Sequence, residues 1–209
     1  AALGLHAAAW DRYGPFRDEL YFVACGNRLS WGYVDQPPLA PALARLAHEA
    51  FGLWVPGLRV LPWVAAARTV LFTGRLAVAL GAGWAGATLA SAAVLGAPVF
   101  MGLGHYLTMN AFEPLLVVLL AWALLRLASG SSPHLWLAAG VLVGLGLLNK
   151  YSMALHAGSL LAGLLATRTR RALWSRWALA GAPVAAGPAP PNPLWQASHG
   201  FPLPEPLRT

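Results

Sequence analysis

Long apolar runs separated by short polar or glycine-rich breaks occupy the chain from residue 61 onward, and this alternation predicts a series of membrane-spanning helices. The runs cover approximately 61–80, 84–108, 114–127, 135–149 and 152–167. A spanning helix needs ~20 apolar residues, so the first two runs are long enough and the others are short. The predicted breaks fall at 81–83, 108–113, 129–133 and 168–176. A last apolar run, 177–194, holds five prolines and predicts a poor helix.

A polar to amphipathic region precedes these runs and covers residues 11–58. Pro15 predicts the entry to a helix, with Asp18 and Glu19 in its first turns. The helical run continues over 20–29, and the prolines and glycine of 31–38 demand a loop.

After that loop, apolar residues recur at helical spacing from Leu39 to Phe51. This pattern predicts an amphipathic helix at the membrane interface. Trp31, Tyr33 and Trp54 are the expected aromatic residues at headgroup level.

Composition supports the same class of protein. Of 209 residues, 58% are hydrophobic and 10% are charged, whereas a soluble domain carries about a quarter charged residues. We therefore expect an all-α, polytopic membrane helical bundle surrounded by membrane lipids. The 14 Lys and Arg side chains do not form one patch, so we predict no nucleic-acid partner. A single cysteine, Cys25, excludes an internal disulfide.

We predict one transmembrane domain over 1–209, with four parts. Residues 1–10 form the end of a truncated first span, 11–58 the first extracytoplasmic loop, 59–194 the membrane spans and 195–209 a further extracytoplasmic loop. Since the chain opens inside an apolar segment, we expect it to be a fragment of a longer protein.

Counting the spans predicts which polar groups share a membrane face. Two spans lead from Asp18 to Glu113, and two more lead to Lys150, so all three lie on one face. One further span places the arginines of 168–176 on the opposite face. Arginines in a short loop favour the cytoplasm, which places Asp18 outside in a multi-pass cell-membrane protein.

These charged residues near span ends are functional candidates by default, because a charge near lipid is costly. Each also has a structural explanation. Asp18, Glu19 and Glu113 suit helix N-termini, and Lys150 and Arg59 can extend to the interface from helix ends. Neighbouring residues point about 100° apart on a helix, so one of Asp18 and Glu19 faces a site.

Other polar residues give weaker signals. Arg68 lies inside an apolar run and needs a partner or water. The spacing of His6, His48, His105, His134 and His156 is not that of metal ligands.

Six segments together, in order, resemble bacterial members of the dolichyl-phosphate-mannose–protein mannosyltransferase-like superfamily, which includes the aminoarabinose transferases of lipid A. They are 17–21 (RDELY), 31–39 (WGYVDQPPL), 58–62 (LRVLP), 109–116 (MNAFEPLL), 146–152 (GLLNKYS) and 192–196 (NPLWQ). The resemblance implies the C-type glycosyltransferase membrane fold. It also implies inverting transfer of a sugar from a polyprenyl-phosphate donor at an extracytoplasmic site.

The resemblance also implies residue roles. Asp18 matches the catalytic acid/base position and Glu113 the second acidic position. Lys150 and Arg59 match basic positions that bind the donor phosphate. The motifs add supporting residues, namely Arg17, Glu19, Tyr21, Asp35 and Gln36.

Several alternatives stay open. Asp18 and Glu113 could together hold a divalent cation, Mg²⁺ or Mn²⁺. The family's later helices and any soluble acceptor-binding domain are missing, and the last span is unusually rich in proline, so an inactive remnant is one alternative. A transporter or flippase is another, since it would also show charges at helix ends and broken spans. The sugar and the acceptor, whether protein, lipid or glycan, are not specified.

Overall fold

The computed structural model describes residues 1–9, 14–167, 170, 173–187 and 191–200. The described residues form eleven helices and no strand, which confirms the all-α prediction. Their bounds are α1 Ala2–Ala8, α2 Arg17–Gly26, α3 Leu39–Phe51, α4 Val55–Ala79, α5 Gly83–Gly96, α6 Pro98–His105, α7 Met109–Ala128, α8 Leu135–Asn149, α9 Ser152–Leu165, α10 Arg176–Ala186 and α11 Pro191–Ser198.

The helices confirm a membrane protein. Within the described residues, α4 and α7 are each long and apolar enough to cross a membrane. The pair α5 and α6 makes a third candidate if it counts as one span bent by 63°. The predicted runs at 135–149 and 152–167 correspond to α8 and α9, which are apolar but short.

The span predicted over 84–108 is broken in the structure between α5 and α6. Pro98 has no N–H to donate, and it disfavours helical geometry at the preceding residue. Ala97 accordingly adopts an extended conformation, with φ −76° and ψ 119°. The dipeptide Ala97-Pro98 is the sequence signal of this bend.

The predicted break at 108–113 is also misplaced. Helix α7 begins at Met109 and contains Pro114, so the non-helical segment is 106–108. A proline this close to a helix N-terminus removes only one backbone hydrogen bond, which the helix tolerates. Glu113 therefore lies in the second turn of α7 and not in a loop.

The last predicted segment consists of two short helices, α10 and α11. Residues 188–190 between them, which include Pro188 and Pro190, lie outside the described residues. The same holds for Arg168 and Arg171 of the predicted arginine cluster and for residues 201–209.

The chain divides into two compact units. The first contains Ala1–Leu29 and Ala40–Trp122, and the second contains Ser30–Leu39 and Ala123–Thr209. The single transmembrane domain over 1–209 stays a prediction.

The first unit has an apolar core made by four parts of the chain. It combines Phe22 and Val23 of α2, small residues of α3, Leu58 and Ala65 of α4, and the start of α7. The α3 contribution is Ala40, Ala44 and Ala47, which confirms an amphipathic helix with one buried face.

The second unit is organised around contact between α8 and α10. A Cβ atom on Gly140 would lie 2.4 Å from the carbonyl oxygen of Gly181, and one on Gly181 would lie 2.5 Å from that of Trp136. Because glycine has no side chain at either position, the backbones of α8 and α10 can come into contact. Gly140 and Gly181 therefore serve close packing of the two helices.

Candidate functional site

A fully buried ion pair joins Glu19 on α2 to Arg59 on α4 in the first unit. Arg59 Nε donates to Glu19 Oε1 over 2.9 Å, and Nη2 donates to Oε2 over 2.8 Å. Both residues are 0% exposed. This two-point geometry is among the stronger protein hydrogen bonds, and burial of both charges is tolerable because they are paired. The pair therefore fixes α2 against α4.

Two backbone amides complete the surroundings of the Glu19 carboxylate. The Phe16 N–H donates to Oε2 over 2.8 Å, which satisfies an amide at the α2 N-terminus. The Leu107 N–H donates to Oε1 over 3.1 Å. Glu19 thus ties the start of α2 to the segment 106–108 that leads into α7.

Arg59 has further partners that use its remaining donors. Nη2 donates to the carbonyl oxygen of Gly14 over 3.0 Å, and the guanidinium lies 4.9 Å from the centre of the Tyr106 ring. Nη1 lies 3.3 Å from Nε2 of His105. All three guanidinium nitrogens are therefore engaged inside the unit, which gives a donor phosphate no open approach to Arg59.

His105 extends this network to His6 on α1. Because arginine only donates, His105 Nε2 must accept, and the ring proton then resides on Nδ1. This N–H donates to Nδ1 of His6, 3.4 Å away. His6 in turn lines a cavity of about 20 Å³ beside Thr69 and Gly104, large enough for about one water molecule.

Sequence reasoning missed this histidine pair. The two residues are 99 positions apart and show no mutual spacing, yet both are buried, at 1% and 9% exposure. Only the packing of both α1 and α6 against α4 brings them together.

Asp18, the residue predicted to be catalytic, has a different environment from that of Glu19. Its side chain is 40% exposed and pairs with Arg17 Nε over 3.2 Å. The Arg17 side chain is itself 90% exposed, so this pair adds little stability. Asp18 is therefore a solvent-accessible carboxylate on a helix that Glu19 holds in place.

Glu113 lies on the helix that packs into the same core as α2. Its neighbours Ala111 and Phe112 join Phe22 in the apolar cluster. Phe16 stacks on Tyr106 with 4.8 Å between ring centres, which adds a second contact between the two helix starts. Glu113 itself is partly buried.

Tyr21, predicted as a supporting residue, lies on the exposed side of α2. It is 40% exposed and meets the Phe22 ring edge-on at 5.8 Å.

Arg68 is exposed on α4, on the same helical stripe as Arg75. Arg75 lies over the Phe72 ring at 5.2 Å. The site described above does not use either arginine.

Lys150 belongs to the second unit, in a two-residue junction between α8 and α9. Its backbone is extended, with φ −162° and ψ 138°, and its N–H donates to Gly146 O over 2.7 Å. The next helix, α9, has no acidic residue in its first turn. Its positive N-terminal end therefore adds to the charge of Lys150.

The loop 30–39, which carries Asp35 and Gln36, also belongs to the second unit. The Tyr33 N–H donates to Gln36 O over 3.1 Å, which closes a turn around Asp35. Gln36 is buried, whereas Asp35 is exposed. The loop predicted from the prolines of this segment is confirmed.

The described residues contain no group of three or more His, Cys, Asp or Glu side chains that could hold a metal ion. A divalent cation held by Asp18 and Glu113 would therefore have at most two ligands of these residue types among the described residues. Two carboxylates suffice for Mg²⁺ where substrate phosphate and water supply its other ligands, so the cation on Asp18 and Glu113 stays a prediction.

The predicted site residues therefore fall into two groups. Asp18, Glu19, Arg59 and Glu113 belong to the first unit, and Lys150 belongs to the second with the loop 30–39. The expectation that Asp18, Glu113 and Lys150 lie on one membrane face stays a prediction.

The helices define a polytopic membrane protein, and comparison with known families narrows this class. A family model described as dolichyl-phosphate-mannose-protein mannosyltransferase matches residues 35–195. The chain belongs to this family of membrane glycosyltransferases of the mannosyltransferase type. The matched range contains Arg59, Glu113 and Lys150, whereas Asp18 precedes it. No curated protein and no solved structure matches the chain.

Proposed function

We propose that the protein transfers a sugar, with inversion, from a polyprenyl-phosphate donor to an acceptor on the extracytoplasmic face of the cell membrane. The observation that carries this proposal is an accessible carboxylate, Asp18, beside a buried and fully bonded one, Glu19. Family membership supplies the reaction class.

Asp18 is the general base of the proposed reaction. The acceptor hydroxyl attacks the anomeric carbon from the face opposite the phosphate, and its proton passes to the Asp18 carboxylate. The bond between the anomeric carbon and the phosphate oxygen breaks, and its electron pair leaves with the polyprenyl phosphate. Positive charge develops on the sugar ring during this step. We assign Glu113 to positioning of the acceptor.

Lys150 stabilises the leaving phosphate in this proposal. Its location before the first turn of α9 supports the role, because both the ammonium group and the helix N-terminus attract an anion.

Arg59 takes a different role from the phosphate contact that we expected from the sequence. Since Glu19, Gly14 and His105 engage its guanidinium, we assign it to positioning α2 and with it Asp18.

The direct test uses the purified protein in lipid vesicles, with a polyprenyl-phosphate mannose labelled in the sugar. We expect labelled acceptor to form when a membrane extract supplies acceptors, with an anomeric configuration opposite to that of the donor. Label that crosses the bilayer but stays on the polyprenyl lipid would instead indicate a transporter or flippase. Retention of configuration would contradict the single-displacement mechanism.

A further inference from the structure

The junction between α8 and α9 is held rigidly around Lys150. The Met153 N–H donates to Lys150 O over 3.1 Å, in addition to the bond from Lys150 N–H to Gly146 O. Met153 also lies so close to Gly146 that a Cβ atom there would be 2.2 Å from its Cγ. These contacts fix the backbone at Lys150 and the direction of the next residue, Tyr151.

The Tyr151 phenol connects this junction to α11. Its hydroxyl donates to Oδ1 of Asn192, which is 2% exposed. Partial burial raises the pKa of Tyr151, so the phenol keeps its proton at neutral pH and remains a donor.

The other end of the Asn192 amide holds the loop 30–39. Nδ2 donates to the carbonyl oxygen of Trp31 over 3.3 Å, and Gln196 Nε2 donates to that of Tyr33 over 2.8 Å. Gly32 lies between them, where a Cβ atom would be 2.8 Å from Asn192 Nδ2. The backbone of this loop therefore rests directly on α11.

We infer that Asn192 is a positioning residue that couples the loop 30–39 to Lys150 through Tyr151. Its single amide accepts from the phenol and donates to the loop. The inference rests on the proposed function, in which Lys150 binds the donor phosphate. Asn192 acts on catalysis through Tyr151 and Lys150 and does not touch the substrate.

The first arm of the test does not require the protein to transfer a sugar. Hydrogen exchange is measured at the amides of Ser30 and Tyr33, which donate to Tyr33 Oη and Gln36 O respectively. Tyr151→Phe removes only the phenol hydroxyl, yet we expect exchange at both amides to rise about fivefold, the equivalent of one hydrogen bond. Ser198→Ala, on the exposed side of α11, is the matched control and should change neither rate. Unchanged exchange in Tyr151→Phe would overturn the coupling.

The second arm separates positioning from simple stabilisation. We expect Asn192→Leu to raise KM for polyprenyl-phosphate mannose about tenfold, with little change in kcat. In a Lys150→Gln background, Asn192→Leu should raise this KM by less than about twofold, because its effect passes through Lys150. Equal effects in both backgrounds would show that Asn192 is only structural. If the unmodified protein transfers no sugar, the proposed function fails, and the exchange arm still decides whether the coupling exists.

Discussion

At the scale of single residues, two adjacent carboxylates on α2 have opposite environments. Glu19 is 0% exposed and accepts hydrogen bonds from Arg59 and two backbone amides. The Asp18 side chain is 40% exposed and pairs with its neighbour Arg17. The angle of about 100° between successive residues on a helix produces this division. Glu19 therefore serves the fold, and Asp18 is available for chemistry.

Replacement of Glu19 should damage the fold directly. Glu19→Gln leaves the buried Arg59 charge uncompensated, and we expect a loss of about 3–5 kcal/mol in the free energy of unfolding. Urea unfolding in detergent micelles, followed by tryptophan fluorescence, measures this quantity. Asp18→Asn is the control, because an exposed substitution should change it by no more than about 0.5 kcal/mol. Equal stability of the two variants would mean that the ion pair has no structural role.

The angle of about 100° between neighbouring helical residues predicts that only one of these carboxylates faces a site, and the resemblance selects Asp18. The sequence could not predict the partner of Glu19. Arg59 lies 40 residues away, and nothing in its local pattern distinguishes a buried arginine from one at the membrane interface. The same limit applies to His6 and His105, since long-range packing alone creates their contact.

At the scale of helices, glycine positions decide how closely α8 and α10 approach. Gly140 and Gly181 each face a backbone carbonyl at a distance that leaves no room for a methyl group. Other helical glycines, such as Gly158 on α9, have nothing within 4 Å of an added Cβ atom. The distance from an added Cβ atom to the nearest atoms thus separates glycines required for packing from glycines that only reduce helix propensity.

Gly140→Ala should therefore force α8 and α10 apart. We expect a loss of about 1–3 kcal/mol in the free energy of unfolding, because backbone cannot move aside as a flexible side chain can. Gly158→Ala should leave stability unchanged or raise it by up to about 1 kcal/mol through better helix propensity. Thermal unfolding of the two variants, side by side, checks the prediction. A Gly140→Ala protein as stable as the Gly158→Ala protein would contradict it.

Helix existence was predictable from hydrophobic runs, but helix ends and bends were not. The run at 84–108 contains a bend at Ala97-Pro98 that hydrophobicity does not register. The apolar run that begins at residue 114 predicts a helix start there, whereas α7 extends back to Met109. Prolines thus mark a local constraint, while packing of the surrounding residues decides whether a helix ends there.

At the scale of the whole molecule, the proposed reaction depends on which face of the membrane each junction reaches. Counting the spans predicted from the sequence puts the loop 30–39 and Lys150 on one face and the breaks at 81–83 and 129–133 on the other, which stays a prediction. This arrangement follows from counting and is independent of the contacts inside each unit.

Cysteine labelling in intact cells tests the predicted sidedness. Cys25 is the only cysteine, so Cys25→Ser provides a background for single cysteines at Val34, Ala82 and Ser132, all exposed positions. A membrane-impermeant maleimide should label the cysteine of Val34→Cys in intact cells. It should label those of Ala82→Cys and Ser132→Cys only after permeabilisation. Labelling of all three, or the reverse pattern, would show that the assigned topology is wrong.

The measurement that tests the central claim most directly is the sugar-transfer rate of Asp18→Asn, with protein folding monitored in the same preparation. We expect a fall of at least about 100-fold in kcat, because the substitution removes the general base but no buried hydrogen bond. The free energy of unfolding should match that of the unmodified protein. A normally folded Asp18→Asn protein that transfers sugar at close to the original rate would contradict the account.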